Sequence, residues 1–169
     1  MLLSPRLFRL NRDKKNIFFY YLAASLALLV IDRVSKLSAL EKLQDSPGVF
    51  VDLGSKITVG LKLSLNQALA LSIPMPQWLI IGLSVFFLSL IGFVISKLVD
   101  KNQMHLAGWW YLLLVLAISN LYDRIIYTGV IDFLSVNINN WYSTIFNFAD
   151  VVIVVTIMVI IKTLITNQK

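Results

Sequence analysis

The sequence predicts a membrane all-α fold: a four-transmembrane-helix bundle with a small outer β-sheet between helices 1 and 2. Three observations carry that prediction. Of 169 residues, 58% are hydrophobic and 14% charged, and the mean hydropathy is +0.79, far from the balance of a soluble domain. Four stretches, residues 17–37, 77–96, 106–122 and 145–165, approach the ~20 apolar residues that cross a bilayer. Basic residues collect before the first stretch (Arg6, Arg9, Arg12, Lys14, Lys15), between the second and third (Lys97, Lys101) and at the end (Lys162, Lys169). If the helices alternate, all three groups fall on one side, which the positive-inside bias makes cytoplasmic, together with both termini. The net charge of +6 then reports topology, and nucleic-acid binding is not expected.

Residues 1–169 read as a single domain. A basic start followed by an apolar run resembles a cleaved leader, but Asp32 and Lys36 follow the run where a small-residue cleavage site belongs. The run is therefore read as a retained first helix. Asp32 and Lys36 are four apart and share a helix face, so they can pair. An interfacial ion pair with a snorkelling lysine is the expectation, and a group that orients something at the outer face is the sharper alternative. About residues 41–75 form an outer, β-rich segment. Within it, residues 57–65 (ITVGLKLSL) alternate apolar and polar with the strand period. Residues 48–53 are the expected partner and 54–56 the turn, giving a small sheet that rests one apolar face on the membrane surface. Asn66 follows, and Pro74 and Pro76 break structure before the second helix.

The second helix has no ionisable residue between Gln77 and Ser96, which suits packing and lipid contact, with Gly82, Ser84, Ser89 and Gly92 as close-approach positions. The third carries Asn120, Asp123 and Arg124 on one face of its outer end. Residues 125–144 read as an outer connector with interface-seeking Trp141 and Tyr142, and this connector holds Asp132. The fourth helix descends from about residue 145, with Asn147 and Asp150 three apart on one face.

Charges near hydrocarbon cost several kcal/mol and usually mark function. Elimination narrows which function. The chain has no cysteine and a single histidine, His105, placed on the cytoplasmic side. A Ser-His-Asp triad at the outer face, thiol catalysis and a paired-histidine zinc site are thereby excluded, and no Gly-rich phosphate loop is present. Asp32, Asp123, Asp132 and Asp150 remain on the outer side, with Lys36, Arg124 and several asparagines. Two carboxylates sharing a site do not both ionise easily, so one holds a proton as the acid while the other activates water as the base. Such a pair hydrolyses an amide without a covalent intermediate. Asp123 beside Arg124 reads as a fixed anion in a hydrogen-bonded cluster. Asp132 and Asp150, which have no adjacent cation, are the better dyad. Each of the two, and Asn147 with them, has a blander reading: Asp132 solvated in a loop, Asp150 a helix N-terminal acid, Asn147 a cap or an interhelical bond.

These motifs resemble the lipoprotein signal peptidase family (signal peptidase II), bacterial membrane aspartyl proteases that remove the signal peptide of prolipoproteins. The matching elements are Asp32-x-x-x-Lys36, Asn66, Asn120-x-x-Asp123-Arg124, Gly129-Val-Ile-Asp132-Phe133 and Phe146-Asn147-x-Ala149-Asp150, in family order across nearly the whole chain. The resemblance implies that Asp132 and Asp150 are the catalytic dyad. It implies that Asn66, Asn120, Arg124 and Asn147 bind substrate or orient the site, and that Asp32, Lys36 and Asp123 form a structural polar cluster. It further implies diacylglyceryl-modified prolipoproteins as substrates, contact with membrane lipid, no metal or organic cofactor, and a monomer. The enzyme would sit in the bacterial cytoplasmic (inner) membrane with its active site near the outer face. Two stretches depart from the family pattern: residues 68–71, where small glycine-containing runs are usual, and residues 115–119 before the Asn-x-x-Asp-Arg motif. Bulkier residues there are expected to narrow or reshape the pocket and to alter helix packing. A non-catalytic lipoprotein- or lipid-binding homologue is the alternative. A proton channel is disfavoured because the inner halves of the four spans carry almost no ionisable groups.

Overall fold

The computed structural model describes residues 12–54, 56–68, 75–139 and 142–166. Its elements run α1 (Arg12–Leu43), β1 (Val49–Asp52), β2 (Ile57–Asn66), α2 (Gln77–Asp100), α3 (Met104–Tyr127), β3 (Val130–Ile138), β4 (Tyr142–Phe146) and α4 (Phe148–Thr166). All four helices are long and apolar enough to cross a membrane. Three run well past their expected bounds: α1 continues past residue 37 to Leu43, α2 past residue 96 to Asp100 and α3 past residue 122 to Tyr127. At 1.5 Å per residue α1 is about 48 Å long, well beyond the hydrocarbon thickness.

The helix α3 is the hub, packing on α1, α2 and α4, and it is the most buried of the four. Its buried residues Leu112, Leu116, Ser119 and Asp123 fall at intervals of three and four, a single stripe along one face. On α1 the buried set Ser25, Asp32, Lys36 and Ala39 has the same spacing and faces that stripe. The two helices therefore meet through an apolar half and a polar half. Their close approach depends on Gly108 of α3, where a Cβ would overlap the Tyr21 ring. Tyr21 also stacks edge-on against Trp109, with centroids 5.4 Å apart, so it has little room to retreat. Gly108→Val is expected to destabilise the detergent-solubilised protein by about 1–3 kcal/mol, read as a lower melting temperature. The close-approach role assigned to α2 does not hold at Gly82, which meets nothing within 4 Å. Ser84 and Ser89 bond the carbonyls of Ile80 and Val85 in their own helix, and Gly92 is buried.

The sheet is larger than expected. The strands order as β1-β2-β3-β4, all antiparallel, so the segment between α1 and α2 supplies one half and the connector between α3 and α4 the other. The connector is thus a hairpin rather than an interfacial loop, and Asp132 lies on a strand. The first residues of β3, Val130, Ile131, Asp132 and Phe133, are all buried. A strand covered on both faces shows no alternation, which is why its period is invisible in sequence. Between Leu61 and Ser64 the β2–β3 register slips by a residue, a bulge that leaves Ser64 opposite Asp132 and Asn66 opposite Val130. Gly129 permits that closure, since a Cβ would lie 3.2 Å from the Asn66 carbonyl oxygen. The fourth helix begins at Phe148, because residues 145 and 146 end β4. The expected turn residue Ser55, the break at Pro74, the departure at residues 69–71, and Trp141, Arg6, Arg9 and Lys169 lie outside the described residues.

Candidate active site

Five elements deliver polar side chains to the sheet end of the bundle. From α1 come Asp32 and Lys36, and from α3 Ser119, Asn120, Asp123 and Arg124. Asn66 is the last residue of β2, Asp132 the third of β3, and Asn147 the single residue between β4 and α4. Asp150 follows in the first turn of α4.

The two carboxylates proposed as a dyad line one cavity of about 430 Å³, together with Asn66, Asn120 and Arg124. Phe87, Leu88 and Ile91 of α2 give it an apolar wall, beside Ser84 of the same helix. Asn147 ties the pair together. Its Nδ2 donates to Asp132 Oδ1 at 2.7 Å and its backbone N–H to Asp150 Oδ2 at 3.2 Å, while its Oδ1 accepts the Asp150 N–H at 3.0 Å. The last two bonds form a reciprocal capping box at the start of α4. The cap reading of Asn147 and the acid reading of Asp150 are therefore both correct, and neither competes with a role in the cavity. Asn66 Nδ2 donates to Asp132 Oδ2 at 3.1 Å, and Asn120 Nδ2 to Asp150 Oδ1 at 2.9 Å.

Asp132 is 2% exposed, so it is not a solvated loop acid. Burial pushes its carboxyl from the ordinary 3.8 up to about 6, the nearby Asp150 charge adds to the rise, and the Asn147 and Asn66 amides and Lys36 oppose it. A carboxyl that keeps its proton to about pH 6 beside a second carboxyl is what acid–base work on an amide needs.

Beneath the cavity lies a cluster of ions. Asp32, Lys36 and Asp123 are wholly buried, and Lys36 Nζ bonds Asp32 at 3.0 Å, Asp123 at 2.9 Å and Asn120 Oδ1 at 2.7 Å. The Asp32–Lys36 pair is correctly anticipated, but Lys36 is wholly buried inside the bundle and does not snorkel. Asp123 is a fixed anion as expected, yet its cations are Arg33 and Lys36 of α1 rather than Arg124. Neighbouring helix residues point about 100° apart, so Arg124 faces away from the carboxylate beside it. It donates instead to the carbonyls of Asn66 at 3.5 Å and Ala68 at 3.1 Å, holding the end of β2 over the cavity.

Two members of the network were missed in sequence, Arg33 and Ser119. Ser119 Oγ donates to Asp32 Oδ2 at 2.6 Å. Its position four residues before Asp123, on the stripe of Leu112 and Leu116, was the available signal. Among the described residues of the departing stretches only Ala117 lines the cavity, while Leu116 packs in the core and Ile118 faces outward. Of residues 115–119, only Ala117 thus adds bulk to the cavity lining, with its methyl group.

Comparison with known proteins points the same way. A family model described as signal peptidase (SPase) II matches residues 24–166. The lipoprotein signal peptidase of Pseudomonas fluorescens (strain Pf0-1) is 34% identical over 152 residues, covering 88% of this chain and 89% of that one. That of Blochmanniella pennsylvanica (strain BPEN) is 31% identical over 86 residues, so the match spans about half the length of each. A bacterial membrane enzyme solved by the in meso method at 2.3 Å shares the fold, with a TM-score of 0.69 and 18% identity over 89% of this chain and 90% of that one.

Proposed function

The chain belongs to the signal peptidase II family, and we propose that it is an aspartyl endopeptidase of the bacterial cytoplasmic membrane that removes the signal peptide from diacylglyceryl-modified prolipoproteins. One observation carries the mechanism: Asp132 and Asp150 line the same cavity and are bridged by one residue, Asn147. In that cavity one carboxyl holds a proton and the other is ionised. The ionised carboxylate takes a proton from water as its oxygen attacks the scissile carbonyl carbon. The protonated carboxyl then gives its proton to the leaving amide nitrogen, the C–N bond breaks, and a carboxylic acid and an amine result. Asn66, Asn120, Arg124 and Asn147 orient the carboxylates and the substrate backbone. The apolar α2 wall suits the signal peptide, and the exposed Val49, Phe50 and Val51 of β1 suit the acylated segment.

The positive-inside distribution supports placing the sheet end, and so the site, at the outer face with both termini in the cytoplasm. The chain acts as one domain and as a monomer in this reading, with the dyad and its supporting ions all supplied by one copy.

The test is a gel-shift assay in detergent with the purified protein and a diacylglyceryl-modified prolipoprotein. Loss of the signal peptide supports the reading. Retained binding of the lipidated substrate without cleavage favours the non-catalytic binder. The pH dependence follows from the site. Below both apparent pKa values of the pair there is no base, and above both there is no acid, so kcat/KM is bell-shaped. Because the Asp132 pKa is raised to about 6, the descending limb belongs at or above that pH, with about a tenfold loss per unit beyond it. A flat profile from about pH 5 to about pH 9 contradicts acid–base work by this pair.

A further inference from the structure

One side chain outside the assigned site touches both halves of its support. Arg33 of α1 donates from Nη1 to Asp123 Oδ1 at 2.7 Å and from Nη2 to Asp32 Oδ2 at 3.2 Å. Its guanidinium carbon lies over the Tyr122 ring, 5.4 Å from the centroid, a cation–π contact. Each of those two carboxylates in turn holds the backbone beside one member of the dyad. Asp32 Oδ1 accepts the N–H of Ala149, the residue before Asp150, at 3.1 Å. Asp123 Oδ2 accepts the N–H of Ile131, the residue before Asp132, at 3.4 Å. The same arrangement is thus repeated on α4 and on β3, with Arg33 joining the two.

We infer that Arg33 is a positioning residue for peptide cleavage: it locks Asp32 and Asp123 relative to each other and, through the Ala149 and Ile131 amides, sets how Asp150 and Asp132 face. The inference rests on the peptidase reading above. Lys36 also contacts both carboxylates, but an ammonium is a rotatable point charge, whereas a guanidinium fork holds two acceptors at a fixed angle. Arg33 has a second effect through charge. With it, Asp32 and Asp123 are matched by Arg33 and Lys36; without it the cluster carries one uncompensated negative charge beneath the dyad. The charged and polar groups around the dyad are then Asp32 and Lys36 from α1, Asn120, Asp123 and Arg124 from α3, Asn66 from β2 and Asn147 before α4. An added negative charge among them disfavours release of the shared proton and moves the descending limb to higher pH.

The test compares Arg33→Gln and Arg33→Lys with the wild type, as full-length protein in detergent, by kcat, KM, pH profile and melting temperature. Arg33→Gln is expected to lose about ten- to a hundredfold in kcat with KM nearly unchanged, and to shift its descending limb upward. Arg33→Lys keeps the charge but not the fork, so it should restore the limb while kcat stays below wild type. Wild-type kcat and an unmoved limb in Arg33→Gln overturn the assignment. So does a lowered melting temperature in both variants with unchanged kcat and pH profile, which makes Arg33 a structural brace only. A wild type that fails to cleave at all instead overturns the peptidase reading, and this inference falls with it.

Discussion

Asp132→Asn and Asp150→Asn each abolish cleavage, with an expected loss of about a hundred- to ten-thousandfold in kcat, while the protein stays folded and binds substrate. An asparagine keeps the shape of the carboxyl but neither takes the proton of water nor returns one to the leaving nitrogen. The fold survives because the hydrogen-bond losses are small. Asp132 accepts from two amide donors, Asn147 Nδ2 and Asn66 Nδ2, and an asparagine there keeps one acceptor but turns its own NH2 toward the other donor, a buried mismatch worth about 1–3 kcal/mol. Neither donor is free to flip, because Asn147 Oδ1 is engaged by the Asp150 N–H and Asn66 Oδ1 by the Ala68 N–H. The charge works in the opposite direction. The folded-state pKa of Asp132 lies above its ordinary value, so the favourable protonated form is fully present below about pH 4 and is lost as pH rises through about 6. Above that pH the ionised side chain destabilises the fold by at most about 3 kcal/mol. Removing it should leave Asp132→Asn as stable as the wild type, or more so, above about pH 6, and no more stable at about pH 4. Gel-shift cleavage and melting curves across pH check both parts. Wild-type cleavage by Asp132→Asn would falsify the dyad assignment.

The helices were legible because burial in lipid asks only for length and apolarity, and the four apolar runs meet that demand directly. The hairpin of β1 and β2 was legible because residues 57–65 alternate apolar and polar in sequence, and no residue of either strand is buried. The other hairpin was not, and this concealed the setting of Asp132. Val130, Ile131 and Phe133 are buried beside it on both faces of the strand, so the stretch reads as an unpatterned apolar connector. Strand pairing between β2 and β3 joins segments more than 60 residues apart in sequence, and no local signal encodes it. The acids themselves were legible as a set, since each is costly where it lies. Their partners were less so. Adjacency in sequence suggested Asp123 with Arg124, whereas the helix geometry sends the two in different directions and the cation comes from α1. Arg33 was overlooked for the converse reason: it stands beside Asp32, and its main partner is 90 residues away.

Lys36→Met should destabilise the protein by about 3–5 kcal/mol and eliminate cleavage as well. Methionine keeps most of the apolar stem, so the loss isolates the ammonium. That group is wholly buried and gives its three protons to three acceptors, Asp32, Asp123 and Asn120. Without it two buried carboxylates share the single Arg33 cation, and breaking a buried ion pair from one side costs far more than the pair contributes. Activity falls through Asn120, whose Oδ1 keeps only the 3.4 Å contact from Asn147, so its amide is no longer held in the orientation that donates to Asp150. Excess buried charge and lost geometry can be separated. Adding Asp32→Asn to Lys36→Met restores neutrality, because one carboxylate then faces one guanidinium. The introduced amide can keep its oxygen on the Ala149 N–H and turn its nitrogen to the Ser119 hydroxyl, which rotates to accept, while Arg33 Nη2 loses the acceptor it had at that position and keeps the guanidinium's bond to Asp123. The double variant should therefore regain part of the lost stability, a coupling of about 1–3 kcal/mol, while remaining inactive. If the two substitutions simply add, the stability of the bundle does not depend on charge balance at this cluster. If the single Lys36→Met melts like the wild type, the buried lysine is not what holds α1 to α3.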